Sequence, residues 1–155
     1  MKRIKLAQSL CGLAIGFILV LSSFPAMASA KPVTVGYVAI FKGLDLTIDR
    51  THLRSFTHFN LSFANPDADG TFVRDGNMTC MIGAFGSRVS VESLRAGIAR
   101  LRAGGAKVLI SDGGGTIPGC SGDWKALLAP DRPAATAAAL AALADQLGLD
   151  GGDID

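Results

Sequence analysis

The sequence has 155 residues, enough for one domain of ordinary size, with 15 basic and 13 acidic side chains and a formal net charge of +2. The excess of positive charge is confined to the N-terminus, because residues 1–30 contain three basic and no acidic side chains. The remainder has a formal net charge of −1. Composition therefore gives no electrostatic basis for nucleic-acid binding, and we expect no nucleic-acid partner.

Residues 1–30 have the order of a secretory signal peptide: basic residues first, then the apolar run 10–24, then Ala28-Ser29-Ala30. The apolar run is short for a membrane span, although an uncleaved anchor is the alternative. We therefore expect a secreted or periplasmic protein with no membrane contact after signal cleavage, and a single domain over residues 31–155.

Two cysteines, Cys80 and Cys120, follow the signal. An exported protein meets an oxidising compartment, so a disulfide between them is plausible, with two buried free thiols as the alternative. Neither cysteine has zinc-ligand spacing to His52 or His58. We expect no metal and no cofactor.

Two strands and a short helix are predicted before residue 64. Residues 33–40 are β-branched and nearly all apolar, and residues 45–54 fit a short helix with Leu46 and Leu53 inward. Residues 56–63 alternate between two faces. One face carries Phe56, His58, Asn60 and Ser62, and the other carries Thr57, Phe59, Leu61 and Phe63. The polar face indicates either the interior of a barrel near a site or a solvent-facing edge strand.

Residues 65–70 resemble the start of a calcium loop, but Gly76 stands where an EF-hand needs glutamate, so we interpret the stretch as a turn. Residues 71–89 are dotted with glycine and are predicted to form a long loop. Ser90 then caps a helix that ends at Gly104-Gly105, and residues 107–111 form a third strand. The apolar stripe of this helix is Leu94, Ile98 and Leu101.

A third helix is predicted to start at Asp131 and Pro133 and to stop at Gly148. Its apolar stripe is Leu140, Leu143 and Leu147. Strands alternate with amphipathic helices, which predicts an α/β fold with a parallel sheet, either doubly wound or a (β/α)8 barrel. Both architectures place their sites at the carboxyl ends of the strands.

The last six residues contain Asp150, Asp153 and Asp155. If they form a strand, Asp153 and Asp155 share a face, and their mutual repulsion favours a proton on at least one of them near neutral pH. Glycosidases arrange acid chemistry in this way. The alternative is a polar turn over residues 150–152.

Ser111-Asp112-Gly113-Gly114-Gly115 follows the third strand. Pro118 stands where a dinucleotide-binding fingerprint needs its last glycine, so a phosphate site is weakly supported. The alternative is that the glycines let the backbone pass close to a ligand or a neighbouring strand. No Gly-x-Ser-x-Gly surrounds Ser111, which argues against a hydrolase nucleophile.

Two motifs, in this order, resemble glycoside hydrolase family 18, which contains chitinases and endo-β-N-acetylglucosaminidases. They are Ser-x-Gly-Gly at residues 111–114 and the start of Asp-x-x-Asp-x-Asp-x-Glu at residues 150–155. Residues 35–37 and 59–64 also resemble the first two strands of that family. Asp112 departs from the pattern, which usually has an apolar or small residue there.

The resemblance implies the first half of a (β/α)8 TIM barrel, truncated after the fourth strand, and a substrate-assisted retaining mechanism on β-1,4-linked N-acetylglucosamine. It implies that Asp155 orients the acetamido group, that Asp153 lies beneath it, and that the acid is residue 157. The other implied positions are Tyr37, Ser111, Gly113 and Gly114 at the substrate, and Asp150 and Gly151 as structural motif.

The expected partner is thus a carbohydrate: chitin, a chitooligosaccharide or an N-glycan. The 155 residues alone are expected to be inactive, because they lack the proton donor. A non-catalytic carbohydrate-binding relative of the same fold is the main alternative. An exported α/β protein that binds calcium or phosphate through Asp67 and Asp69 or through the glycine run is the further one.

Overall fold

The computed structural model describes residues 32–115 and 133–155. Its centre is a four-stranded parallel sheet in the order β1-β2-β6-β7. Those strands are β1 (Val35–Ala39), β2 (His58–Ala64), β6 (Lys107–Asp112) and β7 (Gly151–Ile154). An α/β fold with a parallel sheet is confirmed, and each strand lies within two residues of its predicted start.

The segment after β2 is not the long loop predicted for residues 71–89. It forms a separate antiparallel sheet of three short strands, β3 (Val73–Arg74), β4 (Asn77–Ile82) and β5 (Arg88–Ser90), in the order β3-β4-β5. The turn between β3 and β4 is Asp75-Gly76, with φ of 51° and 74°. Two positive φ angles in an Asp-Gly pair form a tight hairpin turn. The glycine at this position therefore connects two paired strands and does not belong to an irregular loop.

Three helices accompany the strands: α1 (Leu44–Asp49), α2 (Val91–Ala103) and α3 (Pro133–Leu147). Helix α1 is shorter than predicted, and a 3-10 turn at Leu53–Ser55 replaces its last part. Leu46 is exposed and Ile48 is buried, so the prediction of Leu46 as an inward residue is wrong. The short helix therefore presents a different face from the one expected.

The predicted apolar stripes of α2 and α3 form the helical side of the core. All six stripe residues are buried: Leu94, Ile98, Leu101, Leu140, Leu143 and Leu147. Ser90 caps α2 as expected, since its Oγ accepts a hydrogen bond of 3.0 Å from the backbone N–H of Ser93. Gly104 follows the last residue of α2, and Gly148 has the positive φ of 66° that ends a helix after α3.

Strand β2 pairs with β1 on one side and β6 on the other. It is therefore an inner strand, and the alternative of a solvent-facing edge strand is wrong. Its polar residues Asn60 and Ser62 are buried, with 4% and 1% of their surface exposed. These polar side chains of β2 are thus buried inside the protein.

The predicted signal peptide at residues 1–30, the start of α3 at Asp131 and the glycine-run positions after Gly115 lie outside the described residues. Within residues 32–115 and 133–155, no helix has the length and apolar content that crossing a membrane requires.

Candidate functional site

The site is built around the carboxylate of Asp153. Its Oδ2 accepts a hydrogen bond of 2.7 Å from the Ser111 hydroxyl and another of 3.0 Å from the Tyr37 hydroxyl. Ser111 is fully buried on β6 and is paired in register with Asp153 on β7. Three positions predicted separately from the sequence are thereby brought together on one oxygen atom.

The contact between Tyr37 and Asp153 spans the whole parallel sheet. Tyr37 lies on β1 at one edge, Asp153 lies on β7 at the other, and two strands separate them. In a flat sheet, strands three places apart would be about 14 Å from each other. A direct hydrogen bond of 3.0 Å between their side chains requires the sheet to curl so that this face is concave. The candidate site therefore occupies the inside of a curved sheet.

The environment of the Tyr37 hydroxyl reflects this concave arrangement. A hydrogen bond with Asn60 lowers its pKa, but the hydrogen bond to Asp153, the loss of solvent and the negative charges of Asp153 and Asp155 together raise the pKa above its ordinary value. Asp155 is thus close enough to Tyr37 for its charge to act on the hydroxyl. Asn60 lies beside Tyr37 in register on β2.

Asp155 follows the last residue of β7 and is exposed. Its backbone N–H donates a hydrogen bond of 2.9 Å to the carbonyl oxygen of Asp112, which continues the β6–β7 ladder by one residue. The strand interpretation of residues 150–155 therefore fits better than the polar turn, because Gly151–Ile154 pairs with β6 throughout. Asp153 and Asp155 are two residues apart along this ladder, as expected for one face.

Asp150 lies just before β7 and faces a different set of groups. Its Oδ2 accepts hydrogen bonds of 2.8 Å from the backbone N–H of Val108 and 2.8 Å from Arg102. The hydrogen bond from Val108, followed by that from Arg102, holds the pKa of Asp150 below its ordinary value. Asp150 thereby links the start of β7 to β6 and α2 and is separate from the site around Asp153.

The two glycines after β6 both have positive φ, 116° at Gly113 and 72° at Gly114. A Cβ atom on Gly114 would lie 2.5 Å from the ring of Phe63. Phe63 in turn packs against Tyr37, with ring centroids 6.2 Å apart. Gly114 thus lets Phe63 support the tyrosine, which fits the prediction of close backbone approach at this position.

Sequence reasoning did not name Asn60 or Phe63 as site residues, although both support Tyr37. A signal for Asn60 was present, because it belongs to the polar face predicted for β2. No comparable signal existed for Phe63. A register shift between Ser62 and Ala64 interrupts the alternation of β2 at this residue, and simple alternation would have placed Phe63 on the opposite face.

The aspartates of the predicted turn at residues 65–70 are engaged in local structure. Asp67 Oδ1 accepts the backbone N–H groups of Asp69 and Thr71, both at 3.0 Å, and Arg74 binds the carboxylates of Asp67 and Asp69. No cluster of three or more metal-binding side chains occurs within the described ranges. The interpretation of this stretch as a turn is confirmed.

Cys80 lies on β4 rather than in a loop, is buried, and is disulfide-bonded. Cys120 lies outside the described residues, so the pairing of Cys80 with Cys120 stays a prediction.

Replacing Ser111 by alanine is expected to lower the free energy of unfolding by about 1.5 kcal/mol, because a buried hydroxyl that donates to a charged carboxylate is lost. This expected loss lies at the low end of the range for hydrogen bonds to charged groups, because Asp153 is only half-buried and water can replace part of the interaction. Urea denaturation measures the change, with the exposed Ser55→Ala as matched control. A Ser111→Ala variant as stable as that control would contradict the assigned contact.

No family model matches the sequence, and no curated protein does. Solved structures do match. The family 18 chitinase ChiB of Flavobacterium johnsoniae is 26% identical with a TM-score of 0.59, over 78% of this chain and 35% of that chain. A family 18 chitinase of Pseudoalteromonas aurantia is 27% identical with a TM-score of 0.51, over 80% of this chain and 40% of that chain.

A chitinase of Bacteroides thetaiotaomicron shares the fold at 22% identity, with a TM-score of 0.58, over 79% of this chain and 35% of that chain. The chain therefore spans little more than a third of the length of these solved chitinases. Its α/β fold with a parallel sheet resembles the corresponding part of their barrels.

Proposed function

We propose that this chain is part of a glycoside hydrolase that acts on β-1,4-linked N-acetylglucosamine, in chitin or a related glycan. One observation carries the proposal: the hydroxyls of Tyr37 and Ser111 converge on one oxygen of Asp153, at the concave face where parallel strands end. The similarity to two family 18 chitinases above 25% identity supports the same reaction class.

The proposed mechanism is substrate-assisted and retaining, so the acetamido oxygen of the sugar attacks its own anomeric carbon. Asp155 is exposed and close to Tyr37, and we assign it to orient the acetamido group and to stabilise the positive charge that forms there. Asp153 lies beneath it with its Oδ2 fixed by two hydroxyl donors. These two donors hold Asp153 in place below Asp155, so the pair needs no rearrangement when charge develops on the sugar.

A proton shared between Asp153 and Asp155 completes the assignment. While the acetamido group attacks, Asp155 carries the negative charge that balances the sugar, and Asp153 accommodates the proton. The proton that the leaving sugar needs comes from an acid two residues after Asp155. The motif shared with family 18 places a glutamate there, at position 157.

We further propose that the four parallel strands form the first half of a (β/α)8 barrel. The curvature that joins Tyr37 to Asp153 is the curvature that barrel closure needs. Among the described residues, β1 and β7 each have one unpaired edge, and the apolar Val35 and Ile154 on them are 48% and 65% exposed. Further strands would pair these edges and cover these side chains.

The localisation belongs to the same proposal. Export would bring such an enzyme to a polymer that is too large to enter a cell, and residues 1–30 have the order of a secretory signal peptide. We propose a secreted or periplasmic enzyme whose partner is a carbohydrate.

Reading the gene beyond the codon for Asp155 tests the proposal most directly. An open frame with glutamate at 157 supports the hydrolase. A non-acidic residue there contradicts it and favours a carbohydrate-binding relative. Titration calorimetry with chitooligosaccharide, calcium and phosphate is the second test. Binding of the sugar alone is expected, and binding of either ion without the sugar would overturn the proposal.

A further inference from the structure

The carboxyl ends of β2 and β6 contain more hydrogen-bond acceptors than donors. Both carboxyl oxygens of Asp112 and the Oδ1 of Asn65 are buried without a hydrogen-bond partner among the described residues. Asp112 pairs in register with Ala64, which precedes Asn65, and Asn65 Nδ2 donates 3.0 Å to the carbonyl of Gly113. That bond fixes which side of the Asn65 amide is the free acceptor. The three unpartnered oxygens therefore belong to one corner of the sheet.

Among residues 32–115 and 133–155, Asp112 has no charged partner to offset its burial. Its register neighbours Ala64 and Ile154 do not titrate, and Asp153 lies on the opposite face with Ser111. Helices α2 and α3 pack against β6 and β7. Their charged residues are Glu92, Arg95, Arg100, Arg102 and Asp145, and the three arginines bind the Gln146 carbonyl, Asp45 with Asp49, and Asp150 respectively.

Burial raises the pKa of the Asp112 carboxyl to about 6, and the nearby backbone N–H of Gly113 opposes this only in part. A buried carboxylate with one nearby backbone N–H and no cation among the described residues is costly, whereas the protonated acid is neutral and adds a donor to a corner rich in acceptors.

The backbone of Asp112 is part of the candidate site. Its carbonyl accepts the N–H of Asp155 at 2.9 Å, and the preceding residue, Ser111, binds Asp153 at 2.7 Å. A charge at Asp112 would draw water into the end of β6 and shift both of these contacts.

We propose that Asp112 is a positioning residue whose carboxyl group is protonated in the folded protein at mildly acidic pH, and that its ionisation at higher pH loosens the placement of Ser111 and Asp155. The protonated state is inferred only from the buried oxygens of Asp112 and Asn65 that have no hydrogen-bond partner among the described residues. The effect on substrate rests on the proposed function.

The sign of the pH dependence follows from the raised pKa. Below the unfolded-state pKa of 3.8, Asp112 carries its proton in both the folded and the unfolded chain, and its contribution to the stability of the fold is fully present. As pH rises towards about 6, the unfolded chain ionises first and stability is lost. Relative to Asp112→Asn, the folded-to-unfolded ratio of the parent is therefore expected to fall on the order of a hundredfold between pH 4 and pH 7.

Urea denaturation of the full-length protein, Asp112→Asn and the exposed control Asp75→Asn from pH 4 to pH 8 measures this difference. Parallel curves for the parent and Asp112→Asn would overturn the proposal. Carbon NMR of the Asp112 carboxyl in the parent covers the case that the variant does not fold. Titration near pH 6 supports protonation, and titration near pH 4 overturns it.

Two further readouts separate positioning from other roles. Chitooligosaccharide affinity is expected to fall between pH 6 and pH 8 in the parent but to stay flat in Asp112→Asn, and the same slope in both would overturn the positioning role. If the parent binds no sugar at any pH, the proposed function fails while the stability result still decides protonation. Stabilisation of the parent, but not of Asp112→Asn, by millimolar calcium at pH 8 would assign the oxygens to a cation and overturn the proposal.

Discussion

An Asp153→Asn variant of the full-length protein, with any chain that follows Asp155, is expected to hydrolyse chitooligosaccharides about 10²–10³-fold more slowly in kcat. The asparagine keeps the shape of the side chain and one acceptor oxygen for the hydroxyls of Tyr37 and Ser111. It removes the negative charge and the capacity to take up a proton from Asp155. Because the proposed mechanism uses both in the transition state, kcat should change more than KM.

Initial-rate kinetics on a soluble chitooligosaccharide measures this effect. Asp75→Asn is the matched control, since it makes the same chemical change at an exposed hairpin turn. A loss of less than about threefold in Asp153→Asn would remove Asp153 from the proposed catalytic machinery, because such a loss corresponds to under ~0.7 kcal/mol of transition-state stabilisation.

Gly114→Ala is expected to lower the free energy of unfolding by about 2–4 kcal/mol. Two costs add: a non-glycine residue at φ of 72° is strained by ~1–2 kcal/mol, and the new methyl group meets the ring of Phe63 at 2.5 Å. The ring cannot yield freely, because it packs on Tyr37. Tyr37 should therefore shift, and the variant should lose substrate affinity together with stability.

Gly115→Ala is the control for this change. It adds the same methyl group one residue later, where no atom of a described residue other than its chain neighbours lies within 4 Å and φ is not positive. Urea denaturation of both variants separates the local clash from a general effect of lost backbone freedom. Equal stabilities would mean that Phe63 relaxes without cost, and Gly114 would then have no packing role.

The parallel sheet was predictable because strands that are buried on both faces are apolar along their whole length. Residues 33–40 and 107–111 are nearly continuous apolar runs of this kind. The helices were predictable from their stripes and from the cap at Ser90. The antiparallel sheet was missed although Asp75-Gly76 is a strong hairpin signal. Its strands are only two to six residues long, too short for alternation to be evident.

For the candidate site, the sequence identified several of the residues but not the contacts between them. Ser111 and Asp153 end neighbouring parallel strands, so their approach follows from the predicted topology. The approach of Tyr37 does not, because it depends on how strongly the sheet curls across two intervening strands. Side-chain support by Asn60 and Phe63 depends on that same curvature and on the register shift in β2. Curvature and register are properties of the assembled sheet rather than of any one segment.

The hydrogen bond across the concave face makes the absorbance of Tyr37 sensitive to the curvature of the sheet. Tyr37 is the only tyrosine in the sequence, so the absorbance change on raising the pH reports the ionisation of that one phenol. The hydrogen bond to Asp153 and the charges of Asp153 and Asp155 contribute to its raised pKa, and Asp153 reaches it only because the two outer strands are drawn together. Flattening of the sheet would remove the contribution of Asp153 and lower the pKa of the phenol. A spectrophotometer can thus follow the bending of this sheet in solution without an added label.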